Sequence, residues 1–219
     1  MAATPLQTSL KISEVFYSLQ GEATRAGLPT VFVRLTGCPL RCTWCDSEHA
    51  FRGGRRMTQA AVLEQVAALG AHQVCVTGGE PLAQKASLPL LTALCDAGYD
   101  VSLETSGALD IAPVDPRVAR IVDLKAPGSG ESDKNLWSNL DLLRPTDELK
   151  FVLADRADYD WARSIVETHQ LDQRCPVLFS AVQGCLNPTD LAEWIIADRL
   201  QVRFQVQLHK LLWGNMQGK

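Results

Sequence analysis

The sequence predicts an α/β fold: a partial, open (β/α) barrel of about six or seven mostly parallel strands with flanking helices. Short segments rich in β-branched residues alternate with helical segments, which indicates right-handed crossovers and a parallel sheet. The 219 residues fall short of the length of about 250 that is typical of a closed eight-unit barrel. Polar residues also gather where strands end, and parallel α/β folds bind ligands there.

The predicted strands share alternating or continuous apolar residues bounded by turn residues. The second of them is unusual because Arg34 interrupts an apolar run, and a buried guanidinium must find an anionic or hydrogen-bonding partner. In chain order, the strands are expected at residues 12–19, 30–35, 73–77, 101–104, 121–124, 149–153, 177–181 and 202–208.

The predicted helices share an apolar stripe at helical spacing. The first follows Thr58, a suitable N-cap, and ends at Gly70, a suitable C-terminal glycine. A Gly/Ser-rich loop is expected at 127–133, between the strand at 121–124 and the helix around 136–143. The remaining helices are expected at residues 88–97, around 136–143, from Asp158 (with Trp161, Ile165 and Val166 on one face) and from Thr189.

The composition indicates a single domain spanning 1–219 that acts on a small molecule. A hydrophobic content of 46% supports one buried core, and a net charge of -4 argues against a broad cationic surface for nucleic acid. No apolar run approaches the roughly 20 residues of a membrane helix. Seven cysteines, an odd number, and an N-terminus without an apolar leader favour reduced thiols in the cytoplasm over a disulfide framework.

A loop with three cysteines follows the second predicted strand. Cys38, Cys42 and Cys45 have C-x3-C-x2-C spacing, which is typical of a metal or iron-sulfur site. A structural zinc site uses four protein ligands, and a ferredoxin cluster has one cysteine for each iron. Three cysteines therefore leave one coordination position for another ligand, although a zinc loop remains an alternative at this point.

Further candidate residues are expected at the same end of the sheet as the cysteine loop, because they lie where strands end. They are Gly78, Gly79, Glu80, Thr105, Ser106, Lys125 and Ser180. A basic cluster, Arg52, Arg55 and Arg56, also follows the loop. It reads first as a solvated loop, and the alternative is a patch that steers an acidic electron donor toward the cluster.

The cysteine loop with Trp44 and the TGGEPL segment at 77–82 resemble the radical S-adenosylmethionine (SAM) enzymes. Five segments together resemble the 7-carboxy-7-deazaguanine synthase family of queuosine (7-deazapurine) biosynthesis. They are YSLQGEA at 17–23, FVRLTGCPLRCTWCDS at 32–47, TGGEP at 77–81, ETSG at 104–107 and QLHKLLWG at 207–214.

The resemblance implies a homodimeric carbon-nitrogen lyase that converts 6-carboxy-5,6,7,8-tetrahydropterin to 7-carboxy-7-deazaguanine with loss of ammonia. It implies a [4Fe-4S] cluster that reduces SAM to a 5'-deoxyadenosyl radical, a Mg²⁺ ion, an electron donor such as flavodoxin, and a C-terminal tail that closes the substrate site. No catalytic residue is implied beyond the cluster and the SAM radical.

The resemblance also assigns site residues, and Ser47 is the implied magnesium ligand. The cluster ligands are Cys38, Cys42 and Cys45. The implied SAM contacts are Trp44, Cys45, Asp46, Gly79, Glu80, Ser106, Asp123, Lys125, Ser180 and Gln183. The implied pterin contacts are Leu19, Gln20, Gly21, Glu22, Arg34, Thr77 and His209.

These assignments agree with the chemistry of the residues, since an arginine fork suits a carboxylate and an amide suits a guanine-like edge. Three positions depart from the family pattern: Ser47 replaces threonine, Ala23 replaces the glycine of QGEG, and Asp123-Leu124-Lys125 replaces Ser-Pro-Lys. Two other functions stay open from sequence. A glycyl-radical-enzyme activase would share the cysteine loop and an Asp-x-Lys motif, and a zinc or electron-transfer module would bind metal without cleaving SAM.

Overall fold

The computed structural model describes residues 9–214 and 216–218. In this part of the chain nine strands form one open sheet in the order β3-β1-β2-β4-β5-β6-β7-β8-β9. Their bounds are β1 Ser9–Leu19, β2 Pro29–Leu35, β3 Arg55–Thr58, β4 Gln73–Gly78, β5 Asp100–Thr105, β6 Ala119–Asp123, β7 Glu148–Leu153, β8 Val177–Ala181 and β9 Arg203–Gln205.

The predicted fold class is confirmed. From β2 through β4 to β9, the seven neighbouring strands of the described chain are parallel. Two antiparallel strands extend the sheet, because β1 pairs with β2 and β3 pairs with β1. β3 was not predicted: its RRMT sequence reads as a polar loop, but Arg55 and Arg56 are exposed on an edge strand, where charged side chains protect against unwanted pairing.

The described residues form five α-helices: α1 Gln59–Leu69, α2 Ser87–Asp96, α3 Arg156–His169, α4 Pro188–Ala197 and α5 Leu208–Trp213. The first four pack against the sheet. The expected caps of α1 are confirmed, since Thr58 Oγ1 accepts a hydrogen bond from Ala61 N and Gly70 is left-handed. The predicted starts of α3 and α4 were late by two residues and by one residue. Asp155 and Asn187 cap these helices, and a cap side chain precedes the helix that it caps.

Two other predictions were wrong in type or extent. The expected helix at 136–143 is a 3₁₀ helix, Trp137–Leu142. The expected final strand at 202–208 is shortened to β9, because the chain leaves the sheet and Leu208 N donates to Gly21 O at 2.9 Å as α5 begins.

The outer face of the strands forms the apolar core against the helices. One apolar cluster joins β1, β2 and β4 to α1 and α2, and a second joins β7 and β8 to α3 and α4. The inner face of the same strands instead carries polar side chains such as Arg34, Thr77 and Lys150. In the residues that the structure describes, no helix has the length and apolar content needed to cross a membrane.

Candidate active site

A cavity of about 650 Å³ opens at the carboxyl ends of the parallel strands. Two of the predicted site residues, Glu80 and Ser180, are absent from its lining. The structure brings the other predicted site residues together around it: Leu19, Gln20, Gly21, Glu22, Arg34, Cys38, Cys42, Trp44, Cys45, Asp46, Ser47, Thr77, Gly79, Ser106, Asp123, Lys125, Gln183 and His209.

The cysteine loop is held in place by the Gly/Ser-rich loop that follows β6. Thr43 N donates to Ser129 O at 3.0 Å, and Thr43 Oγ1 donates to Gly128 O at 2.9 Å. Glu131 Oε1 accepts from Arg41 N at 2.6 Å. The loop at 127–133 therefore has a supporting function that its composition did not reveal.

The three thiols of the loop are free and partly buried. Burial raises the pKa of Cys38, Cys42 and Cys45, and the Lys125 ammonium acts in the opposite direction on each of them. Within the described ranges, no three His, Cys, Asp or Glu side chains are gathered as ligands of a single ion. Thiols that bind separate irons of one cluster need not approach each other as closely as ligands of one zinc ion, so the loop is compatible with an iron-sulfur cluster.

A chain of opposite charges runs along the cavity wall from the cysteine loop. Lys125 Nζ lies 3.0 Å from Asp123 Oδ2, and Lys150 Nζ lies 3.4 Å from the same oxygen and 2.7 Å from Glu22 Oε2. Burial disfavours the charge of both lysines, but the paired carboxylates outweigh it and raise the pKa of Lys125 and Lys150. Lys150 likewise outweighs burial and lowers the pKa of Glu22. Lys125, Lys150 and Glu22 are therefore charged at neutral pH.

Asp123 has one oxygen that this ion-pair chain does not use. Oδ1 is buried and has no hydrogen-bond partner among the described residues. Buried acceptors normally find a donor, so this oxygen is available for a hydroxyl or amino group of a bound molecule. The arrangement fits the SAM contact that the sequence predicts for this residue.

The Gln20-Gly21-Glu22 segment crosses the interior of the barrel and forms the floor of the cavity. Gln20 Nε2 donates to Glu104 Oε1 at 3.1 Å, while Thr77 Oγ1 donates to Glu104 Oε2 at 2.8 Å. Glu22 reaches the opposite side of the barrel through Lys150. Glu104 and Lys150 also line the cavity, although neither is among the site residues predicted from the sequence.

The Arg34 side chain has the partner that its position required. Its Nε atom lies 2.6 Å from Glu14 Oε1, directly across from it on β1. Its guanidinium carbon also lies 5.8 Å from the centre of the Phe16 ring. The guanidinium is thus held at one edge while the residue lines the cavity.

The C-terminal segment closes one side of the cavity. A Cβ on Gly21 would lie 2.1 Å from His209 Nδ1, so glycine allows the imidazole to pack against the floor. Gln207 Nε2 donates to Glu22 Oε1 at 2.7 Å, and Lys210 Nζ lies 3.0 Å from Asp46 Oδ2. Burial opposes the charge of Asp46, but Lys210 outweighs it and lowers the pKa of the carboxyl.

Residues 216–218 also line the cavity, whereas 215 and 219 lie outside the described residues. That this tail closes over substrate stays a prediction. The expected magnesium ligand, Ser47, lies at the same edge of the cavity and donates from Oγ to Asp46 Oδ1 at 2.9 Å.

Glu80 lies behind the cavity wall, with no exposed surface. Its oxygens accept hydrogen bonds from Leu82 N, Thr105 Oγ1, Ser106 N and Ser106 Oγ. The carboxylate therefore ties the loop after β4 to the end of β5. Ser180, with 1% exposure, is also covered. The structure places neither side chain at the cavity surface that a SAM contact would use.

Gly79 is required by the close approach of the cysteine loop. A Cβ at this residue would lie 2.3 Å from Gly37 O and 2.9 Å from Cys38 Cβ. Neighbouring backbone bonds, Gly79 N to Leu35 O at 3.1 Å and Glu80 N to Gly37 O at 2.8 Å, bring the two loops together. Close packing against the cysteine loop therefore explains the glycine at this position. The contact with SAM predicted for Gly79 would be a second role.

Residues 32–127 match the family model described as the Radical SAM superfamily. Over 219 aligned residues the chain is 44% identical to the 7-carboxy-7-deazaguanine synthase of Koribacter versatilis, covering 93% of this chain and 97% of the relative. The enzyme of the same name from Chlorobaculum tepidum is 46% identical over 211 residues, with 95% and 96% of the two chains covered.

Solved structures with a similar fold include the crystal structure of QueE from Escherichia coli. Its TM-score is 0.77 at 24% identity, and the match covers 95% of this chain and 100% of that one. Streptococcus suis SuiB bound to S-adenosylmethionine has a TM-score of 0.56 at 15% identity, covering 77% of this chain and 48% of that one. These two similarities concern the fold.

Proposed function

We propose, from the premise that this chain belongs to the 7-carboxy-7-deazaguanine synthase family of radical SAM enzymes, that it converts 6-carboxy-5,6,7,8-tetrahydropterin to 7-carboxy-7-deazaguanine. The reaction releases ammonia and makes the protein a carbon-nitrogen lyase of 7-deazapurine (queuosine) biosynthesis. With this family membership, a glycyl-radical-enzyme activase and a zinc or electron-transfer module are not favoured.

The observation that carries the proposal is one shared cavity. The three cysteines line it together with Gln20, Arg34 and other residues that suit a carboxylated, guanine-like ligand. A volume of about 650 Å³ lies within the range of roughly 300–1,000 Å³ that small-molecule sites occupy. A cofactor and a pterin held there would lie next to each other.

Membership of the radical SAM enzymes implies a [4Fe-4S] cluster and SAM. When bound, they supply a carbon radical that removes a hydrogen atom from the substrate. Cys38, Cys42 and Cys45 would hold the cluster, and Lys125 offsets the negative charge of their thiolates. The free oxygen of Asp123 would accept a hydrogen bond from SAM.

The chain's own contribution is to bind and orient the pterin. Arg34 can bind the carboxylate with the nitrogens that Glu14 leaves free, and His209, which packs against Gly21, would provide a second bond. Gln20 and Glu104, already in contact at the floor, offer donor and acceptor atoms to the guanine-like edge of the ring. The Glu22 to Lys150 pair beside them keeps the floor charged and ordered.

We further propose that Ser47 binds Mg²⁺ together with substrate and water oxygens. Magnesium prefers hard oxygen ligands and commonly keeps several waters, so one hydroxyl from the protein is compatible with such a site. Asp46, which is charged and bonded to this hydroxyl, would attract the ion to the cavity edge.

Turnover by anaerobically reconstituted protein tests the proposal. Iron and sulfide analysis should give about four of each per chain, and SAM, reductant and carboxytetrahydropterin should give 7-carboxy-7-deazaguanine detected by mass spectrometry. Zinc in place of iron, or SAM cleavage without this product, would contradict it. In a companion titration, Arg34→Ala should weaken pterin binding far more than SAM binding, whereas equal loss of both would indicate a structural role for the arginine.

An acidic electron donor such as flavodoxin is also proposed, docking near Arg52, Arg55 and Arg56. These side chains are exposed, and two of them lie on the edge strand β3. Replacing all three by glutamine should slow reduction by flavodoxin at low salt and have little effect at high salt, because surface charges are screened. Unchanged kinetics at low salt would remove this docking site.

The homodimer and the cytoplasmic location are proposed on the family resemblance. Exposed apolar side chains on the last strand and the last helix, Phe204 and Leu211, offer surface that a second copy would cover. Light scattering at micromolar concentration should give twice the mass of 24.0 kDa, and a monomer would contradict the proposal. Free thiols at the site suit a reducing compartment.

A further inference from the structure

A β-bulge near the start of β1 changes which face its side chains occupy. Ile12 pairs with Leu35 and Glu14 pairs with Arg34, so β1 advances two residues while β2 advances one. Ser13 is the extra residue. Residues that pair directly across two strands point to the same face of the sheet. Ile12 and Leu35 accordingly both pack in the outer core. Without the bulge Glu14 would follow Ile12 onto that apolar side.

The bulge instead turns Glu14 onto the face of Arg34. Its Oε1 atom lies 2.6 Å from Arg34 Nε, and His49 Nε2, from the turn after the cysteine loop, lies 3.3 Å from the same oxygen. The side chains of Glu14 and Arg34 are 22% and 17% exposed, so water screens their attraction only partly. The substrate-facing strand and the cysteine loop thus share one carboxylate.

Glu14 occupies one edge of the guanidinium and leaves the other. Among the described residues, Glu14 is the one hydrogen-bond acceptor that Arg34 contacts, and the contact uses Nε. The two Nη nitrogens, which can donate two parallel hydrogen bonds to a planar carboxylate, are left for a ligand. Phe16 stacks on Phe32, with ring centres 4.9 Å apart, and the Arg34 guanidinium lies over the Phe16 ring. The stacked rings therefore limit the movement of the arginine side chain on that side.

We propose that Glu14 is a positioning residue for recognition of the substrate carboxylate. It holds Arg34 in the orientation that presents its two Nη nitrogens to the cavity, and the bulge at Ser13 exists to place it there. The proposal rests on the proposed function, because it assumes a carboxylated pterin. An arginine has several rotatable bonds, and fixing it before binding removes an entropy cost that the ligand would otherwise bear.

Binding to the cluster-loaded protein, with SAM present and oxygen excluded, tests the role. The probes are 6-carboxypterin and pterin without the carboxylate, measured by calorimetry. In Glu14→Ala the affinity for 6-carboxypterin should fall about five- to tenfold, from the freedom that Arg34 regains, while the affinity for pterin should stay within about twofold. Glu14→Gln keeps an oxygen for Nε and should restore most of the preference.

The matched control is Glu64→Ala, which removes an exposed glutamate from α1 and should leave both affinities unchanged. Three outcomes would overturn the proposal: an unchanged preference for the carboxylate in Glu14→Ala, equal loss of both affinities, or a Glu14→Gln variant as weak as the alanine. Comparison of urea unfolding midpoints identifies variants that are merely unstable.

A readout without ligand separates this inference from the proposed function. The Arg34 Nε proton, assigned by its loss in Arg34→Lys, should exchange with water faster in Glu14→Ala than in the parent protein. Unchanged exchange would overturn the inference even if the enzyme makes its product. Faster exchange in a variant of a protein that binds neither probe would establish the contact between Glu14 and Arg34. It would also refute recognition of a substrate carboxylate, and with it the proposed substrate.

Discussion

Replacement of Glu80 by alanine should destabilise the protein strongly and leave SAM affinity nearly unchanged. The carboxylate is fully buried and accepts hydrogen bonds from Leu82 N, Thr105 Oγ1 and both polar groups of Ser106. The hydroxyls can rotate toward other acceptors, but the two backbone N–H groups cannot. Each hydrogen bond to a charged group contributes about 1.5–3 kcal/mol, so losing the acceptor of the two backbone N–H groups should lower the unfolding free energy by about 3–6 kcal/mol.

Urea denaturation followed by circular dichroism measures this loss. With a denaturant slope of about 2–3 kcal/mol/M, the midpoint should fall by about 1.5 M. Glu80→Gln keeps one oxygen but turns an NH₂ group toward a donor, so its midpoint should lie between those of the parent protein and the alanine variant. Glu64→Ala on the surface of α1 serves as the control and should not move the midpoint.

The same variants decide between two roles for Glu80. If the residue instead contacted SAM, the alanine variant would lose SAM affinity at an unchanged unfolding midpoint. That result would refute the reasoning from burial. The predicted result is the reverse, because the side chain lies behind the cavity wall and ties the ends of two strands together.

Three other substitutions test Gly21 at the floor of the cavity, Ser47 at its edge and Asp147 beside Arg120. The Cβ added in Gly21→Ala would displace His209. Pterin binding should weaken about tenfold, which is the effect of one lost hydrogen bond, and an unchanged affinity in calorimetry would contradict this. Ser47→Ala should abolish stimulation of turnover by Mg²⁺ in an activity titration, and retained stimulation would exclude the serine as a ligand. Burial raises the pKa of Asp147, but hydrogen bonds from Arg120 and Arg144 outweigh it and lower the pKa from 3.8 to about 2. The stabilisation is therefore present above pH 3.8 and lost as pH falls through 2. Asp147→Asn should therefore flatten stability between those pH values, where about 2 kcal/mol titrates in the parent protein, and an unchanged acid unfolding curve would contradict it.

The segments that could be predicted from sequence are those whose signal is local. The cap at Thr58, the glycine at Gly70 and the Cys38 to Cys45 spacing each depend on residues a few positions apart. Strand β8 was predicted with its observed bounds because turn residues flank a short apolar run. The starts of α3 and α4 were misplaced, since several Asp, Asn and Thr residues near each start could serve as the cap.

The sequence by itself determined the α/β class, the three-cysteine loop and the residue types gathered at strand ends, because chain connectivity and side-chain period are sufficient for these. Only the tertiary structure decided that Glu104 and Lys150 face the cavity, that Glu80 lies behind it and that Glu14 meets Arg34. A strand covered on both faces lacks the alternation that would reveal its inward side. The pairing register of the strands, including one bulged residue, then determines which residues meet across the barrel. Loops also bring together residues that are up to 185 positions apart in the chain.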